Sequence, residues 1–204
     1  PVSEKRDILL RCYSREEFHL TKSEILEQMA SDTTDKILKL FESALSDPDA
    51  EVRETALTLL VPLPESLKMI VEQLLFDESY INAELALERL CTDFPDEAPM
   101  YLEKMKEEEG WRGKNIRMKW LQMAIRSLQP QYISELISYT APCQEFETRM
   151  NAFALLESLG YIDRVVATNA KEAAGHWNRK LAASAKRYLD YFARQEIYRD
   201  WITE

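Results

Sequence analysis

The amino-acid sequence predicts an all-α fold, a right-handed superhelix of stacked antiparallel helix pairs. Apolar residues recur at helical spacing in stretches that Pro, Gly and Asp separate. Gly accounts for only 4 of the 204 residues, although strand-rich folds need Gly at their many turns. A pattern of similar residues also returns at intervals of 30 to 33 positions, and a period in this range is typical of stacked helical repeats.

The first 31 residues predict an irregular N-terminal helix pair. Its first helix lies around the apolar residues 8–10. The second is predicted to begin at a capping box over residues 21–24, in which the Thr21 hydroxyl and the Glu24 carboxylate satisfy each other's backbone N–H groups. Apolar residues that follow, including Ile25 and Met29, supply the buried side of this helix.

Five helix pairs are predicted over residues 32–204. In the first pair, a helix from Asp35 to Leu45 ends before Pro48, because the residue before a proline avoids the helical conformation. Asp49 is the predicted N-cap of the next helix, and Gly160 is the predicted residue after a later helix end. The remaining pairs are 65–77 with 80–92, 97–109 with 114–128, 131–139 with 145–159, and 161–173 with 176–199.

The repeating pattern is clearest where one helix stops, the chain turns and a second helix starts. The residues that we assign to the repeat itself are Asp47, Pro48, Asp49, Val52, Arg53 and Ala56. Arg53 is followed in matching places by Glu84, Arg117, Arg149 and Arg179. The inward-facing positions that accompany them are Ala56, Glu88, Trp120, Ala152 and Ala182.

Two roles are open for the recurring arginines. In the first, each guanidinium bonds a carbonyl or an Asp at the turn of the adjacent repeat, such as Asp47, and the bonds form a ladder along the stack. In the second, Arg117, Arg149 and Arg179 lie on a concave surface and contact the carboxylate of a substrate or partner. The repeated spacing favours the structural role.

Charge and composition restrict the classes of partner. The net charge is −10, and it lies in the first half: residues 1–102 hold 10 Lys/Arg and 22 Asp/Glu, whereas residues 103–204 hold 16 and 14. An acidic chain is repelled by a phosphate backbone, so we expect no general nucleic-acid binding. No apolar run is long enough to predict a membrane span. The thiols Cys12, Cys91 and Cys143 form no C-x-x-C pair, which favours the cytosol without fixing it.

The sequence predicts no catalytic, cofactor-binding or metal site within the chain. His19 and His176 are the only histidines, and neither has the partner four residues away that a helical zinc site needs. The glycines do not form a phosphate-binding pattern. The basic and aromatic residues of the last predicted helix leave a DNA-processing helical-repeat enzyme as a third alternative, although the same helix has an ordinary apolar core stripe.

The stretch Asp47-Pro48-Asp49-x-x-Val52-Arg53-x-x-Ala56-x-x-x-Leu60 resembles a HEAT repeat. The 30–33 period extends the resemblance over about residues 33–195. It implies a HEAT- or armadillo-like α-α superhelix with an extended concave surface. Glu84 departs from the pattern, because it stands where the repeat has an Arg.

A second resemblance is carried by residues 115–127 and the helix pair that follows. This stretch is similar to the C-terminal helical domain of zinc aminopeptidases of the aminopeptidase N and leukotriene hydrolase type, over roughly residues 97–195. That family binds zinc through H-E-x-x-H in an upstream domain, and this chain has no such motif. The resemblance implies a non-catalytic domain that caps the active-site cleft and restricts substrate access. It aligns Arg149 with a basic residue that faces the substrate's carboxylate in some members.

Two functions follow from these observations. The leading hypothesis is a C-terminal scaffold domain of a larger zinc aminopeptidase, whose partner is the catalytic domain of the parent protein; the start at Pro1 instead of Met agrees with a fragment. The alternative is a free-standing HEAT-repeat adaptor that binds a protein or peptide through its acidic first half or its concave groove. Neither hypothesis places a cofactor in this chain.

Overall fold

In a computed structural model, the chain folds into α-helices joined by short turns and 3-10 helices. The structure describes residues 2–32, 34–111 and 114–203, and these ranges contain no β-strand. The predicted all-α class is therefore confirmed, whereas the right-handed superhelix stays a prediction. The helices form two compact units, Pro1–Tyr101 and Leu102–Glu204.

The helices of the first unit are α1 (Val2–Tyr13), α2 (His19–Met29), α3 (Asp35–Leu45), α4 (Ala50–Leu59), α5 (Lys68–Gln73) and α6 (Tyr80–Asp93). Helix α7 (Ala98–Lys104) spans the boundary between the units. The second unit contains α8 (Asn115–Arg126), α9 (Ile133–Ser138), α10 (Phe146–Ser158), α11 (Arg164–Ala174), α12 (Arg179–Ala193) and α13 (Arg199–Thr203). Short 3-10 helices lie at Glu65–Leu67, Leu74–Phe76, Pro95–Glu97, Pro130–Tyr132 and Glu196–Tyr198.

The first unit is built in two layers. Helices α2, α4 and α6 pack side by side in that order and form what we call the front layer. Helix α3 packs behind α4, and α5 with its neighbouring 3-10 turns packs behind α6. The core between the layers is apolar, and it includes Leu26, Ile37, Phe41, Val52, Ala56, Leu57, Val71, Ala86 and Leu87.

The second unit repeats the arrangement. Helices α8, α10 and α12 pack in that order, with α9 against α8 and α10, and α11 against α12. Its core contains aromatic residues that also satisfy backbone groups. The Trp120 indole N–H donates to the Leu102 carbonyl at 2.6 Å, and the Tyr188 hydroxyl donates to the Tyr161 carbonyl at 2.6 Å. Each aromatic ring is thus fixed by packing and by one hydrogen bond.

Some predicted helix starts are confirmed and others are wrong. Asp49 caps α4 as predicted, because its carboxylate accepts from the Glu51 amide at 2.8 Å. The capping box at residues 21–24 is wrong: α2 begins at His19, so Thr21 already lies inside the helix. The chain turns into α2 earlier because the Glu16 carboxylate accepts from two successive amides just before it.

Both helices of the last predicted pair start later than expected. The helix predicted over 161–173 begins at Arg164, because the Asp163 carboxylate accepts from the Val166 amide at 2.8 Å and caps it. The helix predicted over 176–199 is α12, Arg179–Ala193, and Asn178 caps its start. The helices predicted over 65–77 and 97–109 are shorter and include 3-10 turns.

The N-caps correct the register of the repeat. Counted from the N-caps of α4, α6, α10 and α12, the seventh helical residue is Ala56, Ala86, Ala152 and Ala185, and each is 0% exposed. The fourth helical residue is Arg53, Ala83, Arg149 and Ala182. The predicted matches were therefore wrong at Glu84, one residue too late, and at Arg179, three residues too early. In α8 the fourth and seventh helical residues are Met118 and Leu121, so Arg117 and Trp120 each come one residue too early. The inward positions are Ala86 and Ala185, not Glu88 and Ala182.

Two helix ends of the second unit show the same backbone with different residues. Leu128 after α8 has φ 63°, and Gly160 after α10 has φ 64°. At both ends, the backbone N–H of the following residue donates to a carbonyl of the last helical turn. Gln129 donates to Ala124, and Tyr161 donates to Leu156. Gly160 is the predicted helix-end residue, whereas Leu128 places an 89% exposed side chain in a left-handed conformation that disfavours it.

We expect Leu128→Gly to raise the free energy of unfolding by about 0.5–1 kcal/mol, because the relief of left-handed strain exceeds the entropy that glycine adds to the unfolded chain. Gly160→Leu is the matched reverse change and should lower it by a similar amount. All four Trp residues lie in the second unit, so urea denaturation followed by Trp fluorescence measures both variants. A destabilised Leu128→Gly variant would contradict the strain argument.

Candidate functional site

Arg53 connects two successive helix pairs of the first unit. Its Nη1 donates to the carbonyl oxygens of Asp47 and Pro48, at 2.7 and 3.1 Å, in the turn before α4. Its Nε and Nη2 donate to the Asp77 carboxylate at 2.7 and 2.8 Å, in the turn before α6. We call such an arrangement a clamp: one guanidinium bonds the carbonyls of its own turn and a carboxylate of the next helix pair.

Asp47 and Asp77 have the same function in their two turns. The Asp47 carboxylate accepts from the Asp49 amide at 3.0 Å, and the Asp77 carboxylate accepts from the Ser79 amide at 2.8 Å. Asp47 is neutralised by Lys22, whose Nζ lies 2.7 Å from Oδ2, just as Arg53 neutralises Asp77. Each carboxylate therefore orders its turn and receives a cation from the preceding helix pair.

The environment of Asp77 stabilises its ionised form. Only 4% of its side chain is exposed. Burial acts to raise the pKa of the Asp77 carboxyl, but hydrogen bonds from Arg53, Ser79 and Asn82 outweigh burial and hold the pKa below its usual value. The Arg53–Asp77 pair is therefore charged at neutral pH.

Arg117 forms the equivalent clamp in the second unit. Its Nη1 donates to the Lys106 carbonyl at 2.9 Å, and its Nε and Nη2 donate to Glu135 at 2.8 and 2.6 Å. The guanidinium also lies 4.4 Å from the centre of the Trp120 ring. The bond from Arg117 holds the pKa of Glu135 below its usual value, against the effect of burial. Burial and the bond to Glu135 raise the pKa of Tyr139 to about 12.

Arg149 forms a third clamp and is only 2% exposed. Its Nε donates to the Thr140 carbonyl at 3.0 Å in the turn before α10. Its Nη2 donates to the Asn169 carbonyl at 3.1 Å and to the Glu172 carboxylate on α11. The Asn169 amide donates in turn to the Thr140 hydroxyl at 2.8 Å, which closes the network.

The predicted partner-facing arginines thus have three different positions. A guanidinium as buried as that of Arg149 has almost no surface for an external carboxylate, and the geometry supports its structural role. Arg117 is 16% exposed and bonded to Glu135. Arg179 is exposed at the first position of α12 and makes no hydrogen bond or ion pair with the part of the chain that the structure describes. It does not belong to the clamp series.

The front layer of the first unit has an acidic outer side. Glu24 and Glu27 of α2, Glu51 and Glu54 of α4, and Glu88 of α6 project away from the buried stripe of each helix, as the helical period requires. Leu20 and Ile81, each 52% exposed, lie on the same side. We call these seven residues the acidic face. Lys22 and Arg53 of the same helices bond Asp47 and Asp77, which are outside this face, whereas His19 of α2 contacts Glu51.

Sequence reasoning missed the surroundings of His19. Its Nε2 lies 3.0 Å from the Glu51 carboxylate and its Nδ1 lies 3.6 Å from Asp49, so it joins α2 to the start of α4. No local sequence pattern indicates this contact, because the partners are about thirty residues downstream. Within the described ranges, no group of three or more His, Cys, Asp or Glu is placed to hold a metal ion.

Comparison with known proteins assigns no family to this chain. No model of a known protein family matches it, and no curated protein matches it. None of the described helices is long and apolar enough to cross a membrane. A function must therefore be inferred from the residues and their arrangement.

We expect Arg149→Leu to lower the free energy of unfolding by about 2–4 kcal/mol, because it leaves the buried Thr140 carbonyl without its donor and removes the charged bond to Glu172. The matched control is Arg179→Leu, which should change it by no more than about 0.5 kcal/mol. Trp fluorescence during urea denaturation reports both, since both arginines lie in the second unit. Equal effects of the two substitutions would contradict the assignment of Arg149 as a clamp.

Proposed function

We propose that this chain is a non-catalytic helical-repeat scaffold that docks a polypeptide partner on its acidic face. The observation that carries the proposal is the composition of that face: five glutamates and two half-exposed apolar side chains, on three helices that pack side by side. Stacked helical repeats bind partners through such extended surfaces.

The chemistry of the acidic face favours a basic, amphipathic segment. The glutamates attract a cationic partner and increase its rate of association. Leu20 and Ile81 offer apolar area, and burial of one such side chain contributes about 1.5–3 kcal/mol. Carboxylates alone would bind weakly at physiological salt, so the combination of charge with apolar anchors supports specific docking.

The clamps support the proposal because they preorganise the surface. Arg53 fixes the turn before α4 to the turn before α6, and Lys22 fixes α2 to the turn before α4. The three helices of the front layer are thereby held in a constant order. A surface that is already ordered loses less conformational entropy when a partner binds.

The proposal is tested with a synthetic helical peptide of Lys and Leu, whose binding to the chain is followed by fluorescence anisotropy. Glu27→Lys with Glu54→Lys should weaken binding at least about tenfold, because both changes reverse charges on the acidic face. The matched control is Glu42→Lys with Asp96→Lys, which makes the same change in net charge at exposed residues outside that face. Equal weakening in the two double variants, or no binding by the original chain, would contradict the proposal.

A second candidate function is the C-terminal domain of a zinc aminopeptidase, favoured by the resemblance of residues 115–127. In the structure, this stretch forms α8, and Ile116, Trp120 and Leu121 on it are buried. On this proposal, the domain caps an active-site cleft that another domain provides. Immunoprecipitated native polypeptide should then be larger than 23.8 kDa and should have aminopeptidase activity that a chelator removes. A native polypeptide without such activity would contradict this candidate.

A further inference from the structure

The outer side of α12 is basic. The helix buries Leu181, Ala185, Tyr188 and Phe192, which are all 0% exposed. The helical period places the cationic residues Arg179, Lys186, Arg187 and Arg194 opposite this stripe, and all four are exposed. One carboxylate, Asp190, is exposed on the same side between Lys186 and Arg194, so the side has an excess of positive charge. Arg187 forms an ion pair with Glu157, in which Nε lies 3.2 Å from Oε2. The other three make no ion pair with the described part of the chain.

Helix stability does not explain the positive charges at the start of α12. The first turn of α12 holds Arg179 and Lys180 and no acidic residue, whereas the N-terminal end of a helix favours negative charge. Asn178 supports the helix start by accepting from the Lys180 and Leu181 amides at 3.0 and 3.2 Å. The cations at this end therefore oppose the helix dipole, and a function outside the helix accounts for them better.

We propose that the acidic face of one copy of this chain binds the basic side of α12 of a second copy, in a head-to-tail contact. The inference rests on the proposed function, because it names the occupant of the same acidic face. Both surfaces belong to one chain and carry opposite charge. A head-to-tail contact uses two different surfaces, so each copy retains one of each for further association.

The spacing of the charges agrees with the contact. Neighbouring packed helices lie about 8–10 Å apart, which sets the distance between the glutamate rows of α2, α4 and α6. Arg179 and Lys186 are seven residues apart, about 10.5 Å along a helix at 1.5 Å per residue. Arg194 lies a further eight residues on, about 12 Å. An α12 that crosses the front layer can place Arg179, Lys186 and Arg194 over three successive helices. Ala183, between the first two cations, allows close approach, whereas Asp190, between the last two, has to lie over the gap between helices and not over a glutamate.

The test is sedimentation velocity of the full chain over a range of concentrations, at low and at high salt. The average mass should rise above the 23.8 kDa of one copy as concentration increases, and it should return to one copy at high salt because exposed charges are screened. Glu27→Lys with Glu54→Lys should prevent the rise. Arg179→Gln with Lys186→Gln and Arg194→Gln should also prevent it. Circular dichroism of each variant checks that the helices are unchanged.

A mixture of the two variants gives the sharpest result. One variant has an intact α12 and the other an intact acidic face, so together they should form a dimer of one copy of each that cannot grow. A single-copy mass in the mixture, or no self-association of the original chain at low salt, would overturn the inference. If the Lys and Leu peptide still binds the α12 variant in that case, the proposed function stands and only the occupant is wrong. If neither the peptide nor a second copy of the chain binds, the proposed function and the inference both fail.

Discussion

The arginine that joins the turn before its helix to the next helix pair is the interaction on which the fold depends. A turn between packed helices leaves carbonyl groups without helical partners, and a side-chain donor can satisfy them. Arg53 satisfies the carbonyls of its own turn and, with the rest of the same group, bonds Asp77 of the next turn. Arg117 and Arg149 likewise bond a carbonyl of their own turn, and they bond Glu135 and Glu172 on a helix of the next pair. The same arginine thus supplies hydrogen bonds to the turn carbonyls and holds successive helix pairs in order.

The sequence predicted the helical class and the first repeat because those depend on local chemistry. Asp49 caps α4 and Arg53 bonds the preceding turn, and both are read from adjacent residues. The register failed at α6 and α12, where the N-caps Ser79 and Asn178 set the helix start. In α4, α6, α10 and α12 the constant spacing is the one between the N-cap and a buried Ala, and in α6 and α12 the position of the Arg is taken by Ala83 and Ala182.

The sites were less predictable than the elements. Glu135 and Glu172 lie 18 and 23 residues after the arginines that they bind, on helices whose rotation the sequence does not specify. The acidic first half was visible from composition, but the choice of glutamates that share one side required the helix starts. Arg179 illustrates the reverse case: a wrong repeat assignment placed it in the clamp series, and its exposure at the start of α12 makes it part of the basic surface instead.

The most direct test of the clamp is a double-mutant cycle with Arg53→Ala, Asp77→Ala and the combined variant, measured by urea denaturation with circular dichroism. A coupling of about 1.5–3 kcal/mol at neutral pH is expected for a charge-assisted pair. Because the pKa of Asp77 is lower in the folded than in the unfolded chain, the coupling should be complete above the unfolded pKa of about 3.9 and be lost as pH falls through the folded value. Coupling near zero at neutral pH would contradict the account.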